Sequence, residues 1–322
     1  MSSNTSPMQV QPRLTQIALA IKPEGMIADA VLPRVQTDGE KFVYTKFNTS
    51  EVFTIPDTKV GRTSEPNQVE FGSVDVTAAT EDHALDDLVP NKDVDNAKNS
   101  NSGANPLDIA AENTTVLLEM AREQRVANLV FNLNTYSSSL RETLSGVGQW
   151  SDYTNSNPVA AILAAMDKML VRPTDIVFGQ ATWTAFRQHP KVVAAVLNMT
   201  GGQGGLAASG YATREAVAAL LELRRVHVGQ AFANTANKGQ TASYSRLWGK
   251  HCALLKIETA VRNTRSPMPT FGFTAQWGSR IAGTIDAPTK GVRGSQIVRV
   301  GEQVIELVTM QEAGYYFQNA VA

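Results

Sequence analysis

Cysteine is almost missing. Cys252 is the single one in 322 residues, so no disulfide can close within the chain, which suits a reducing compartment. A surplus of charge of either sign is missing as well: 30 acidic residues stand against 29 basic ones, the formal net charge is −1, and the basic residues are dispersed. Tight binding of nucleic acid needs Lys and Arg gathered to displace phosphate counterions. Gripping DNA is therefore excluded as the main role, although passive contact with it is not. Long apolar runs are absent too. Stretches such as residues 192–197 are far too short to span a bilayer, and residues 1–11 lack the apolar core of a signal peptide. The chain is expected to be made and used in the cytosol, at least initially, where the Asn-X-Ser/Thr matches at Asn4, Asn48, Asn113 and Asn198 have no glycosylation to serve.

Constellations that carry chemistry are equally scarce. His83, His189, His227 and His251 lie far apart, with no Cys, His or carboxylate at metal-ligand spacing on a helix. His189 precedes Pro190 and reads as a helix terminator. The glycine run at residues 201–205 lacks the Lys-Ser/Thr of a phosphate loop and follows a helical pattern instead of a strand, so it reads as a mobile or close-packed loop. Asp86, Asp87, Asp93 and Asp95 break the EF-hand register, because Lys98 stands where glycine is required. No Gly-x-Ser-x-Gly elbow occurs, and Cys252 lies in an apolar strand where a thiol is inert packing. No catalytic residue, cofactor or metal site is expected.

What is present is 43% hydrophobic residues, enough to bury a core, and a strongly marked helix at residues 105–134. Asn105 is a helix cap, Pro106 sits in the first turn where its missing N–H costs nothing, and Asp108 favours the positive end. Ile109, Val116, Met120, Ala127 and Phe131 predict one apolar stripe along about 40 Å, with Glu112, Glu119, Arg122, Glu123 and Arg125 on the other face. Such a helix, flanked by strand-like sequence, predicts a strut lying across a sheet.

Ahead of it, residues 14–21 predict a short helix and residues 42–47 an alternating strand. Residues 1–40 hold too little to fold alone and read as an arm that packs along something else. Residues 48–67 are polar and punctuated by Pro56, Gly61 and Pro66, with Lys59 and Arg62 set against Glu51, Asp57 and Glu65. This predicts a two-stranded excursion that needs a partner surface, because an isolated hairpin is marginally stable in water. Residues 69–78 predict one bent strand with a bulge at Gly72, and residues 85–103 read as irregular.

In the middle third, Asn157-Pro158 opens a helix and residues 175–179 predict a buried strand. Helices follow around Trp183 and at 192–197, Thr213 caps another, and residues 225–228 and 252–257 are strands, which together make an α/β unit. Strands return at 270–277, 281–285, 295–300 and, after a turn at Gly301, 304–310, while Tyr315, Tyr316 and Phe317 belong in a core.

The order of parts resembles the major capsid proteins of tailed bacteriophages, with the Hong Kong 97-type shell fold. Stretches that carry the resemblance are Ile27-Ala-Asp-Ala-Val-Leu-Pro33 followed by Tyr44, Trp150-Ser-Asp, Asn157-Pro158, Arg172-Pro173, His189-Pro190, Arg225-Val-His-Val-Gly229, Leu247-Trp-Gly-Lys-His-Cys-Ala-Leu-Leu255 and Ala313-Gly-Tyr315, in that order from about residue 12 on. The resemblance implies an α+β chain. Its parts would be an N-terminal arm (1–47), an extended loop (48–68), and a peripheral domain (69–149, with a spine helix at 106–133). An inserted α/β axial domain (150–262) and returning peripheral strands (263–322) would complete it.

It further implies pentamers and hexamers that close into an icosahedral head around double-stranded DNA, in the virion after assembly in the host cytoplasm. Partners would be other copies of the chain, a portal, a decoration protein, and a separate scaffolding protein, since no long helical segment precedes the arm unless one has been cleaved away. No membrane is involved. Lys59, Arg62, Glu51 and Glu65 are the candidate inter-subunit contacts, and noncovalent ones. The competing readings are an encapsulin-type compartment of the same fold, a nucleotide enzyme built on the glycine run, and a tail or accessory shell protein.

Overall fold

The computed structural model describes residues 8–47, 55, 57–66, 73–99, 105–199, 210–237, 239–259, 264 and 269–322. The chain starts with strand β1 (Gln9–Val10), a helix at Pro12–Ala20, a short helix at Ala28–Val31, β2 (Arg34–Thr37) and β3 (Lys41–Phe47). After the excursion come β4 (Ser73–Ala79), β5 (Glu81–Pro90), a helix at Asn91–Asn99 and the spine helix at Pro106–Val130. The middle holds β6 (Arg141–Thr143), helices at Pro158–Lys168, Gln180–Gln188, Pro190–Met199 and Arg214–Leu220, and strands β7 (Asp175–Gly179), β8 (Arg225–Gly229), β9 (Phe232–Asn234), β10 (Tyr244–Arg246) and β11 (Cys252–Leu255). Two long strands, β12 (Gly272–Ala287) and β13 (Ser295–Val308), precede β14 (Gly314–Gln318).

The spine helix begins where the cap signals place it. Asn105 accepts from the Leu107 backbone N–H, and Pro106 occupies the first turn. Its last carbonyls find side-chain partners instead of a further turn: Leu129 accepts from Thr135 Oγ1 (2.7 Å), Val130 from Tyr136 (2.8 Å) and Phe131 from Tyr316 (3.0 Å). The helix therefore stops a few residues short of the expected end.

The first sheet is built on the antiparallel β12–β13 hairpin. β5 lies on the far side of β13, while β1 and β2 share the outer edge of β12, β2 running parallel to it. One face packs on the spine helix and the Pro12–Ala20 helix through Leu14, Ala18, Ala110, Ala111, Leu118, Ala282, Val298 and Val300. The second sheet runs β6-β14-β11-β7-β8, with helices packed around it over Trp150, Phe178, Phe186 and Phe317. A third apolar cluster joins the two units across Val126, Val130, Val177, Trp248, Leu255, Phe271 and Tyr316. β3 and β4 form a separate two-stranded ladder.

Several expectations change. The region 85–103 is not irregular, since β5 and the following helix fill most of it. Its acids suit an exposed edge, where charge discourages unwanted pairing, and Asp86 is held bidentate by Arg299 at 2.7 Å. The bent strand at 69–78 becomes β4, which ends at Ala79, and residues 69–72 with their expected bulge lie outside the described residues. Gly301 makes no turn: it sits mid-strand in β13 opposite Ala84, and a Cβ there would come within 3.1 Å of the Ala84 Cβ. Glycine is used for close strand approach, so 295–308 is one strand. Likewise 272–287 is one strand, irregular between Trp277 and Ile281.

β14 leaves the expected returning sheet and pairs with β11 and β6 instead. Tyr315, Tyr316 and Phe317 are each at most 1% exposed, and a strand apolar on both faces needs a sheet covered on both sides. The sheet of the α/β unit thus draws strands from outside 150–262. The arm also differs from expectation. Leu14, Ala18, Val31, Leu32 and Val35 are buried on the chain's own body, so most of residues 9–44 require no second copy for burial.

Candidate functional site

The β3–β4 ladder is the base of an excursion whose described residues, Ile55 and 57–66, are all exposed. The ladder is anchored below by Phe42 and Tyr44, which pack with Val35, Phe273 and Ala275. Thr264 makes two bonds to one edge of β3, its hydroxyl donating to the Val43 carbonyl and its own carbonyl accepting from the Thr45 N–H. Within the loop the Lys59 N–H donates to Asp57 Oδ1 (2.9 Å) and the Ser64 N–H to the Gly61 carbonyl (3.1 Å), two local turns that give the tip a shape. Lys59, Arg62 and Glu65 are each exposed along this segment. Glu51 lies outside the described residues, as does the glycine run at 201–205. Ile55 is 93% exposed and Val60 45%. Complete burial of one such side chain is worth about 1.5–3 kcal/mol, so this tip gains by meeting a surface.

Between the arm, the spine helix and the first sheet lies a charged cluster that sequence periodicity missed. Arg122 and Glu123, expected on the outer face of the spine helix, are both fully buried, whereas Ile109, expected inside, is 46% exposed. The buried stripe instead runs through Ala111, Thr115 and Leu118 and continues to Arg122 and Val126.

Arg122 donates to Asp29 (2.5 Å), to Thr274 Oγ1 (3.1 Å) and to the Leu32 carbonyl (3.4 Å). Arg34 donates to Asp29 (2.9 Å) and Glu302 (2.8 Å), and Arg280 to Glu302 (2.8 Å), Glu119 and the Ala18 carbonyl. Arg125 grips Glu306 with both ends of its guanidinium. Burial raises the carboxyl groups of Asp29 and Glu302, but the adjacent guanidiniums outweigh it and hold both below their ordinary range. This cluster ties the arm, the spine helix and the first sheet together.

A second polar tie reaches the other unit. The two oxygens of Glu123 accept from the backbone N–H groups of Ile27 and Ala28 (both 2.8 Å) and from the Trp248 indole N–H (2.6 Å). Burial raises the Glu123 carboxyl above its ordinary value, and these donors oppose it. In the second sheet, buried Asp175 accepts from Arg224 (2.6 Å), Thr174 (2.6 Å) and His227 (3.0 Å), and the donors outweigh burial to leave its carboxyl lowered.

The histidines are engaged separately. His189 ends its helix as expected, but its fully buried ring also accepts from the Lys191 N–H and contacts Ser156 Oγ at 3.0 Å, while that hydroxyl bonds the Asp152 carbonyl. Both ring nitrogens are thus structurally occupied. Among the described residues no group of three or more His, Cys, Asp or Glu is placed to hold a metal, and no helix is long and apolar enough to cross a membrane.

No family model matches the chain. The major capsid protein of Pseudomonas phage JBD67 is 44% identical to it over 319 residues, which span 99% of each chain. The chain belongs to the phage major capsid proteins. A second such protein, from Burkholderia phage BcepMu, is 24% identical over 276 residues and 82% of each chain. Among solved structures, a phage-related protein of Bordetella bronchiseptica RB50 superposes with a TM-score of 0.74 at 19% identity, over 97% of this chain and 98% of that one. The putative capsid protein of an Escherichia coli CFT073 prophage gives 0.58 at 8% identity, over 97% and 99%. The fold is the Hong Kong 97-type α+β fold expected above, and this capsid protein is a structural component of the virion shell. Kinship with a phage head protein at 44% identity favours the head over an encapsulin-type compartment.

Proposed function

We propose that copies of this capsid protein join head to tail into pentamers and hexamers, and that these close into an icosahedral head around double-stranded DNA. Heterologous contacts that close into rings, and repeat between rings, let one chain enclose a volume. The observation that carries this reading is the exposed tip at 57–66, with Lys59, Arg62 and Glu65 beside bare Ile55 and Val60 on a two-stranded base. Mixed charge with exposed aliphatics fits a polar-rimmed contact between subunits.

In this reading 48–68 is the reaching loop, 150–262 with β6 and β14 forms the axial unit, and 69–140 with the β12–β13 hairpin forms the peripheral one. The protein has no enzymatic role. Near-neutral charge suits DNA driven in through a portal by a separate motor, since a shell condensing its own genome would need a basic segment. A separate scaffolding protein would guide assembly in the host cytoplasm, with a decoration protein as a later partner.

Negative-stain microscopy of the expressed chain, alone and with the scaffold gene beside it, tests the proposal. Closed shells are expected, while tubes, trimers or persistent monomers would refute it. Reversing charge with Lys59→Glu and Arg62→Glu together is expected to block assembly while leaving the circular dichroism of the monomer unchanged. Normal particles from the double variant would remove the loop from the list of contacts.

A further inference from the structure

The apolar cluster between the two sheet units is broken at one point by charge, where Glu123 meets Ile27, Ala28 and Trp248. Apolar contact is non-directional: Val126, Val130, Val177, Leu255 and Phe271 would gain nearly as much in a slightly rotated arrangement. A buried carboxylate with three donors is directional, and loses hydrogen bonds as soon as the units turn.

The carboxylate and its three donors come from three places. Ile27 and Ala28 open the short arm helix, Glu123 lies on the spine helix, and Trp248 belongs to the turn between β10 and β11. Trp248 is itself immobilised. Its indole lies against Gly229, where any Cβ would overlap the ring, and its backbone carbonyl packs on Gly179 in the same way. The ring of Phe131, just past the spine helix, meets the indole edge-on at 5.2 Å. The indole is therefore a rigid lever from the second sheet, and Glu123 holds its end.

We propose that the Glu123–Trp248 hydrogen bond is a registration point that, beside the Tyr316–Phe131 bond, fixes the angle between the two sheet units, and thereby the curvature with which copies join. The inference rests on the reading above that the chain builds closed shells, whose diameter follows from the angles between subunits. Glu123 and Trp248 act here as positioning residues, and neither is required to touch a neighbouring copy.

Trp248→Phe is the discriminating variant, because it removes the indole N–H while Glu123 keeps both backbone donors. Glu123→Gln is the second, since its amide turns a donor toward donors. Val217→Ala, in the core of the second unit and remote from the seam, serves as a control for stability loss alone. Each protein is assembled under the wild-type conditions, and particle diameters are measured by electron microscopy beside thermal unfolding of the unassembled chain.

Trp248→Phe and Glu123→Gln are expected to fold and to give a diameter distribution at least twice as broad as wild type, whereas Val217→Ala keeps the wild-type distribution at a similar loss of Tm. Wild-type diameters from Trp248→Phe would overturn the inference, as would equal broadening by Val217→Ala. So would failure of both seam variants to fold, which would make the bond a folding requirement only. If the wild-type chain makes no shells, the proposed function falls first and this inference with it.

Discussion

Arg122 shows how far a single side chain departs from its residue type. A guanidinium with no exposure is tolerable only because Asp29, Thr274 and the Leu32 carbonyl replace its water. Truncation to alanine removes those bonds and the packing of its stem, so Arg122→Ala is expected to lose about 3–5 kcal/mol in urea unfolding. Arg122→Met keeps the volume and should lose clearly less, because Asp29 is half-exposed and retains Arg34.

The carboxylates predict a pH response. Asp29, Asp175 and Glu302 are lowered from ordinary values of 3.8, 3.8 and 4.5. A lowered carboxyl group contributes stability that is present above its unfolded value and lost as pH falls through the folded one. The urea midpoint should therefore drop steeply below those ordinary values, and Asp175→Asn should flatten the slope there. Glu123 works in the opposite sense: being raised, its contribution is present below 4.5 and lost as pH climbs through its folded value.

Among the elements, β1 and β5 show edge strands held in different ways. β1 is two residues long and lies across Gly283, where a Cβ would overlap the Gln9 carbonyl. Gly283→Ala is expected to lift β1 off β12 and to speed hydrogen exchange at Gln11, whose N–H donates to the Ala282 carbonyl, leaving the spine helix protected. Unchanged exchange would show that the strand shifts to accommodate the methyl. β5 is legible only with its partner. Its sequence alternates poorly and is rich in Asp, so nothing local marks it as a strand until β13 supplies ten paired positions and Arg299 meets Asp86. The spine helix stands at the other extreme. Asn105, Pro106 and Asp108 announce its start within four residues, because capping is a local event.

At the scale of the whole molecule, two five-stranded sheets are joined by the apolar cluster at the end of the spine helix, and the described residues of the excursion above β3 and β4 are exposed. An arm buried on its own body changes the physical picture of assembly: reach is concentrated in the loop, and the leading residues are largely spent on folding.

The sequence by itself determined what depends on neighbours a few residues away. That covers the helix starts at Asn105 and Asn157, the buried strand β7, the absence of a disulfide, and the ordered landmarks that carry the family resemblance. Only the tertiary structure decided which face of the spine helix is inside, which sheet takes β14, and where Arg122 and Glu123 find their partners. Those outcomes turn on groups about 90 to 150 positions away, such as Asp29, Thr274 and Trp248. A charged side chain carries no local mark of being buried, because what makes burial tolerable is the opposite charge or donor that the fold brings to it.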